Sequence, residues 1–146
     1  MTNSDLTHEL ILTLLRTRMS FRQALMRIFK RNGIEITFEM FQVMHRLGQG
    51  DGVSQQYLAE KTAKDKACMT NLLNNLEKKQ WVKRLEDPSD RRNRLICLTK
   101  DGHDLIRQTR PLIDGLYEQA GLRMNNKRLQ HCIADLMLLN EVLDEI

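Results

Sequence analysis

Cysteine, proline and aromatic residues are scarce in this 146-residue chain, which has three cysteines, two prolines and 5% aromatic residues. The cysteines, Cys68, Cys97 and Cys132, form no Cys-x-x-Cys motif, so neither a disulfide framework nor a tetrahedral zinc site is predicted. The histidines also lack the spacing that would place two ligands on one helical turn. We therefore expect no metal ion and no cofactor.

Long hydrophobic runs are missing as well. No uninterrupted apolar stretch approaches the roughly 18–20 residues needed to span a bilayer. Residues 1–10 carry acidic side chains where a signal peptide carries basic ones. Charged residues make up 29% of the chain and hydrophobic residues 41%, which is typical of a folded domain. The sequence therefore predicts a cytoplasmic protein with no membrane partner.

Catalytic motifs are absent too. An enzyme needs a convergent set of groups, such as a nucleophile with its base, paired carboxylates or a phosphate-binding glycine loop. The glycine-rich segment 48–52 follows no predicted strand and precedes no Gly-Lys-Ser/Thr sequence. The sequence predicts that the protein is not an enzyme.

The net charge of +4 is unevenly distributed. Residues 51–100 carry 11 basic and 7 acidic side chains, whereas residues 101–146 carry 5 and 8. A basic middle segment favours binding to a polyanion, and the acidic end favours a part that stays away from it.

Hydrophobic spacing predicts a series of helices. One long amphipathic helix covers Leu6 to Ile28 and stops at Asn32-Gly33, and a second begins after Thr37. Ser54 caps a short third helix that ends near Thr62, and a fourth runs from near Asp65 to Lys79. Two short helices joined by about three residues are typical of a helix-turn-helix motif.

After the fourth helix, the sequence changes from helix-forming to β-prone residues. Two β-prone segments, 81–86 and 95–98, flank turn-forming residues and predict a hairpin with a long basic tip. Thr99 can cap the next helix, and helical sequence restarts near Asn125-Asn126. The predicted fold is mainly α with a small β-hairpin wing: a winged helix-turn-helix flanked by long N- and C-terminal dimerisation helices.

The apolar stripes of the terminal helices exceed what a monomer requires, and the last helix approximates an a/d seam. We therefore predict an N-terminal dimerisation helix at 1–36, a DNA-binding domain at 37–100 and C-terminal dimerisation helices at 101–146. The predicted homodimer interface contains Leu6, Leu10, Leu14, Leu129, Ile133, Leu136 and Leu143.

The polar face of the fourth helix suits the major groove of duplex DNA. Asparagine can bond to N6 and N7 of adenine, methyl groups of threonine and alanine can touch thymine, and lysines can reach phosphates. The predicted DNA-binding residues of this helix are Lys64, Lys66, Ala67, Thr70, Asn71, Asn74, Asn75 and Lys78, joined by Ser54 and Gln55 at the start of the third helix.

The predicted hairpin tip contributes Asp90, Arg91, Arg92, Asn93 and Arg94. Arginines on such a loop can enter a narrow minor groove, where the negative potential is enhanced. We expect Asp90 to orient one of these arginines through a carboxylate–guanidinium pair.

These motifs together resemble the MarR (multiple antibiotic resistance regulator) family. The most specific parts are the Asp-x-Arg sequence from Asp90 to Arg92 and the Leu-Thr-x-x-Gly sequence from Leu98 to Gly102. The resemblance implies a homodimeric winged-helix regulator that binds pseudo-palindromic duplex DNA, with Arg92 in the minor groove and Asp90 orienting it. Repression is the expectation for this family, with release modulated by a small lipophilic or aromatic effector. The chain departs from the family pattern at Gln80, where glycine is frequent.

One alternative remains open at this point. A winged-helix module that binds proteins would use the basic wing for an acidic partner and the long helices for assembly. Site-specific, salt-sensitive binding to duplex DNA distinguishes the two functions.

Overall fold

The computed structural model describes residues 1–146 and confirms the predicted mainly helical, winged-helix fold. The elements, in chain order, are α1 (Asn3–Arg31), α2 (Phe38–Gln49), β1 (Val53–Ser54), α3 (Gln55–Lys61), α4 (Lys66–Lys78), β2 (Val82–Asp87), β3 (Asp90–Leu98), α5 (Lys100–Gly121) and α6 (Asn126–Asp144). None of the helices combines the length and the hydropathy that crossing a bilayer requires.

Side-chain caps determine where the helices begin. A capping oxygen accepts a backbone N–H that has no partner within its own helix, which removes an unsatisfied donor. The capping bonds run from Met40 N–H to Thr37 at 3.1 Å, Tyr57 N–H to Ser54 at 3.1 Å, Cys68 N–H to Asp65 at 2.7 Å, Gly102 N–H to Thr99 at 3.0 Å and Arg128 N–H to Asn125 at 2.9 Å. The helix starts predicted from these residue types are confirmed.

The chain divides into two compact units, Met1–Leu112 and Ile113–Ile146. In the first unit, Phe29 and Phe41 pack edge to face with ring centroids 5.3 Å apart. The buried side chains of Leu73 and Leu76 give α4 its inner face. In the second unit, α6 has no buried residue. The three-part division predicted above stays a prediction.

A three-stranded antiparallel sheet, with the order β1-β3-β2, supports the wing. The sequence analysis missed β1, which has only two residues and pairs Val53 with Ile96 and Ser54 with Leu95. Two residues are too few to show the alternation from which strands are recognised. This pairing ties the start of α3 to the base of the wing.

The hairpin tip differs from the prediction. The turn contains only two residues, because Asp87 already pairs with Asp90. The next pair in the ladder is Glu86 with Arg94, so residues 91–93 have no counterpart on β2 and bulge out of the hairpin. The prediction of a long tip is therefore wrong, and the basic residues project from a bulge at the start of β3.

Candidate nucleic-acid interface

The outer face of α4 forms a shallow, open concavity. Its volume is about 560 Å³, and its lining residues are Lys66, Ala67, Thr70, Asn71 and Asn74. All five side chains are exposed, as are Asn75 and Lys78 nearer the end of the helix. The structure thus brings most of the predicted α4 residues onto one accessible surface of the first unit.

Thr70 is hydrogen-bonded to the neighbouring helix, α3. Gln55 Nε2 donates a hydrogen bond to Thr70 Oγ1 at 2.6 Å, and the Thr70 hydroxyl donates to the Lys66 carbonyl at 2.9 Å. Ser54, one residue before Gln55, is half-buried and serves as the cap of α3. These contacts hold the beginning of α3 beside the exposed face of α4.

Lys64 occupies a different environment from the other predicted lysines. It is half-buried, and its Nζ donates a hydrogen bond to Gln42 Oε1 at 2.8 Å. The ammonium group is therefore held against α2, whereas Lys66 and Lys78 are exposed on α4.

Asp90 does not make the ion pair predicted for it. Its Oδ1 accepts the backbone N–H of Arg92 at 3.0 Å, and none of the ion pairs in the structure involves Asp90. A short carboxylate reaches an amide two residues ahead more readily than a guanidinium on a long side chain. The predicted carboxylate–guanidinium pair is wrong: Asp90 instead positions the backbone from which the exposed Arg92 side chain extends.

Asp87 closes the other side of the turn. Its carboxylate accepts the backbone N–H of Ser89 at 3.0 Å, the Ser89 hydroxyl at 2.8 Å and Asn93 Nδ2 at 3.4 Å. The backbone bond from Ser89, followed by the hydroxyl bond, lowers the pKa of Asp87 below its ordinary value. Because the carboxylate is ionised at neutral pH, it holds Asn93 within the hairpin while Arg91, Arg92 and Arg94 flank it.

Sequence reasoning missed a link between the wing and α4. Arg84 Nη1 of β2 forms an ion pair with Glu77 Oε1 of α4. The pair neutralises the one acidic side chain within α4.

Sequence reasoning also missed two basic side chains that lie over the Tyr57 ring of α3. The Arg46 guanidinium lies 4.9 Å from the centroid of the Tyr57 ring, and Lys61 Nζ lies 5.7 Å from it. Arg46 comes from α2, so no local sequence pattern signals this contact.

Part of the chain matches the model of a known protein family. Residues 36–93 match the model of the MarR family. Over these residues, which contain the helix-turn-helix and the start of β3, the chain is similar to the MarR family. The resemblance drawn from the sequence motifs is thereby confirmed.

Two curated relatives are similar to this chain. The transcriptional regulator HosA of Escherichia coli O111:H- is 28% identical over 85 residues, which are 58% of this chain and 63% of HosA. The chain thus spans less than two thirds of HosA. The HTH-type transcriptional regulator SarZ of Staphylococcus haemolyticus is 26% identical over 106 residues, or 69% of this chain and 72% of SarZ.

A solved complex of Staphylococcus aureus MepR with DNA shows the same fold. Its TM-score is 0.74 at 22% identity, with 100% of this chain and 99% of MepR covered. HosA and SarZ are transcriptional regulators, and this agrees with the prediction that the chain is not an enzyme.

Proposed function

We propose that this protein is a member of the MarR family and acts as a sequence-specific DNA-binding transcriptional regulator. The observation that carries the proposal is the outer face of α4, where exposed amides, methyl groups and Lys66 line one concavity. The one acid in that helix, Glu77, is paired with Arg84. A face of this composition can approach a polyanion and still bond to base edges. The DNA complex of MepR, which has the same fold, supports the same use of the domain.

We propose that different residues contact the major groove, the minor groove and the phosphates of the DNA. Asn71 and Asn74 face base edges in the major groove, with Gln55 and Thr70 beside them. Arg92 enters the adjacent minor groove from the wing bulge. Phosphate contacts come from the residues at the edges of these surfaces, namely Ser54, Lys64, Lys66, Asn75, Lys78, Arg91 and Arg94, while Ala67 supplies an apolar contact and Asp90 and Asn93 shape the bulge.

We also propose that the protein acts as a homodimer. In the first unit, α1 leaves Leu6 and Leu10 exposed at 53% and 43%. In the second unit, α6 leaves Ile133 and Leu143 exposed at 58% and 48%. Contiguous exposed apolar side chains of this kind mark interaction surfaces. A second copy of the chain would cover both sets, together with the half-buried Leu14, Leu129 and Leu136.

We further propose that the protein represses transcription and that a small-molecule effector releases it from its operator DNA. The first unit contains a cavity of about 330 Å³ that would admit a small aromatic molecule. Its lining combines the apolar Ile106 and Pro111 with basic groups, and comprises Gly48, His103, Ile106, Arg107, Arg110 and Pro111. An effector releases the operator only if it binds the DNA-free state more tightly than the DNA-bound state. Binding chromosomal DNA would place the protein in the cytoplasm, as the sequence predicts.

Selection of bound duplexes from a random pool tests the proposed function. We expect a two-fold symmetric site, with half-sites about one helical turn apart, bound at least about a thousandfold more tightly than random sequence. The affinity should fall steeply with salt, because lysines and arginines displace counterions from phosphates. Weak, equal binding to all duplexes would contradict the proposal and favour the protein-interaction module.

The effector cavity has a separate test. Benzoate, a small aromatic carboxylate, should raise the melting temperature of the free protein and weaken its hold on the selected duplex. Ile106→Glu places a carboxylate in the cavity and should abolish both effects. Release that persists in this variant would contradict the cavity assignment.

A further inference from the structure

The two central amides of α4 have no partner within the protein. Asn71 and Asn74 are exposed, and no hydrogen bond in the structure uses either side chain. They lie three residues apart, and a helix rises about 1.5 Å per residue, so the amides are offset by about 4.5 Å along the axis. Successive bases on a DNA strand are about 3.4 Å apart, which puts neighbouring base pairs within reach of the two amides.

The Thr70 hydroxyl, one residue before Asn71, already makes two hydrogen bonds within the protein. Thr70 Oγ1 accepts from Gln55 and donates to the Lys66 carbonyl, at 2.6 and 2.9 Å. Its only proton is used within the protein, so the hydroxyl cannot donate to a base, and its methyl group is available for an apolar contact. The Ala67 methyl lines the same concavity. Next to two free amides, the surface therefore offers two methyl groups.

Groups that would read guanine or cytosine are missing from the centre of this face. Guanine is read mainly by arginine or lysine, and the lysines within α4 are at its two ends. Cytosine is read by a carboxylate, but the Asp65 carboxylate accepts the Cys68 N–H at 2.7 Å and Glu77 is paired with Arg84. Lys66 borders the concavity at the start of α4, and between Lys66 and Lys78 the available chemistry is an amide for N6 and N7 of adenine and a methyl group for the thymine methyl.

We infer that Asn71 and Asn74 each read an adenine, so that the base pairs under α4 in each half-site are A·T, with Thr70 and Ala67 against thymine methyl groups. This inference rests on the proposed function, because it names the bases that the same surface recognises. It makes Asn71 and Asn74 specificity-determining residues and assigns Gln55 a positioning role through Thr70.

Atom-level changes in the DNA test the inference with the full chain. The duplex selected from the random pool is rebuilt with 7-deazaadenine, which keeps base pairing but lacks the N7 acceptor. Replacing either contacted adenine should weaken binding about 5- to 150-fold. Replacing a contacted thymine by uracil removes one methyl group and should weaken binding about fourfold.

Variants of the protein show which asparagine contacts which adenine. Asn71→Ala and Asn74→Ala should each make one adenine insensitive to the 7-deaza replacement, because the amide that used N7 is gone. Gln119→Ala is the matched control: it removes an exposed amide from α5, outside the proposed surface, and should keep both sensitivities. Thermal unfolding checks that each variant folds, and the 7-deaza measurement on the unaltered protein stands even if one does not.

The outcomes separate the inference from the proposed function. Site-specific binding with a loss at both adenines, abolished position by position in the variants, supports the inference. Site-specific binding to a G·C core, or indifference to N7, overturns it and leaves the proposed function intact. Equal binding to every duplex overturns the proposed function, and the inference with it.

Discussion

Two residues of the helix-turn-helix adopt a backbone conformation that favours glycine. Ala63 has φ 53° in the turn after α3, and Gln80 has φ 62° after α4. A residue with a Cβ pays about 1–2 kcal/mol in this left-handed region. Both positions close a helix end: the Lys64 N–H bonds to the Ala59 carbonyl at 2.9 Å, and the Trp81 N–H to that of Leu76 at 3.1 Å.

Ala63→Gly should raise the free energy of unfolding by about 1 kcal/mol, because glycine takes the left-handed conformation without strain. Urea denaturation measures the change. Ala59→Gly, inside α3, is the matched control and should lower the stability by about 1 kcal/mol, since its backbone is helical. An equal loss in both variants would show that no strain is stored at Ala63.

Arg92 is the residue on which the proposed minor-groove contact depends. Arg92→Ala should weaken binding to the selected duplex about tenfold or more and leave dimerisation unchanged, because a charge-assisted contact is lost from an exposed position. Titrations at several salt concentrations measure the affinity. Arg18→Ala, an exposed arginine of α1, should bind as the unaltered protein does; an unchanged affinity in Arg92→Ala would contradict the assignment.

At the scale of elements, two contacts hold the wing in place. The first is the close approach of α5 to the loop before β2. A Cβ at Gly102 would lie 2.1 Å from the Trp81 carbonyl oxygen, so only glycine fits there. This is the physical basis of the glycine in the Leu-Thr-x-x-Gly sequence that ends at position 102.

Gly102→Ala should lower the stability by about 1–3 kcal/mol, because the first turn of α5 must move away from the Trp81 backbone. Thermal or urea unfolding measures the loss. Gly115→Ala, in the same helix with nothing within 4 Å of its Cβ position, should instead gain about 1 kcal/mol. Equal effects in the two helix glycines would contradict the close approach.

The second contact is the ion pair between Glu77 of α4 and Arg84 of β2. The two side chains are 37% and 22% exposed, so solvent screens the pair and we expect a coupling of only about 0.5–1 kcal/mol. A double-mutant cycle with Glu77→Gln and Arg84→Met measures this coupling. Without the pair, the orientation of the wing relative to α4 is less restricted, so we expect Glu77→Gln to weaken duplex binding at high salt, where the loss of a negative charge affects the affinity little. Unchanged affinity under these conditions would show that the pair does not position the wing.

At the scale of the whole molecule, exposed apolar surface distinguishes the terminal helices from the proposed DNA-binding region. Each of the two units carries part of that surface, on α1 and on α6. A soluble chain rarely leaves such surface in water, since each buried methylene gains about 0.8 kcal/mol. In the proposed homodimer this surface forms the interface, and dimerisation allows two half-sites to be bound together.

Leu10→Glu and Ile133→Glu should each shift the protein toward monomer, because a carboxylate in an apolar interface is costly to desolvate. Sedimentation measures the mass. A monomer contacts one half-site, so the affinity for the symmetric duplex should fall in parallel. Gln23→Glu adds the same charge at an exposed polar site of α1 and should leave the dimer intact. A dimer that resists both leucine and isoleucine replacements would contradict the interface.

Local interactions explain what could be predicted from the sequence. Helix starts follow from capping side chains such as Thr37 and Asp65, whose bonds reach only three residues ahead. Helix faces follow from the recurrence of leucines at three or four residues along the chain. The sequence alone therefore determined the six helices, the hairpin, the resemblance to the MarR family and the polar face of α4.

Contacts between distant residues were decided only by the tertiary structure. The pairing of β1 with β3, the bond from Gln55 to Thr70 and the ion pair from Arg84 to Glu77 each join separate elements. Asp90 shows the same limit at short range, because its charge predicted an arginine partner while the turn presented a backbone amide. Periodicity and capping specify which residues are helical, but the partner of a polar side chain depends on where the packed elements bring donors and acceptors within about 3 Å of each other.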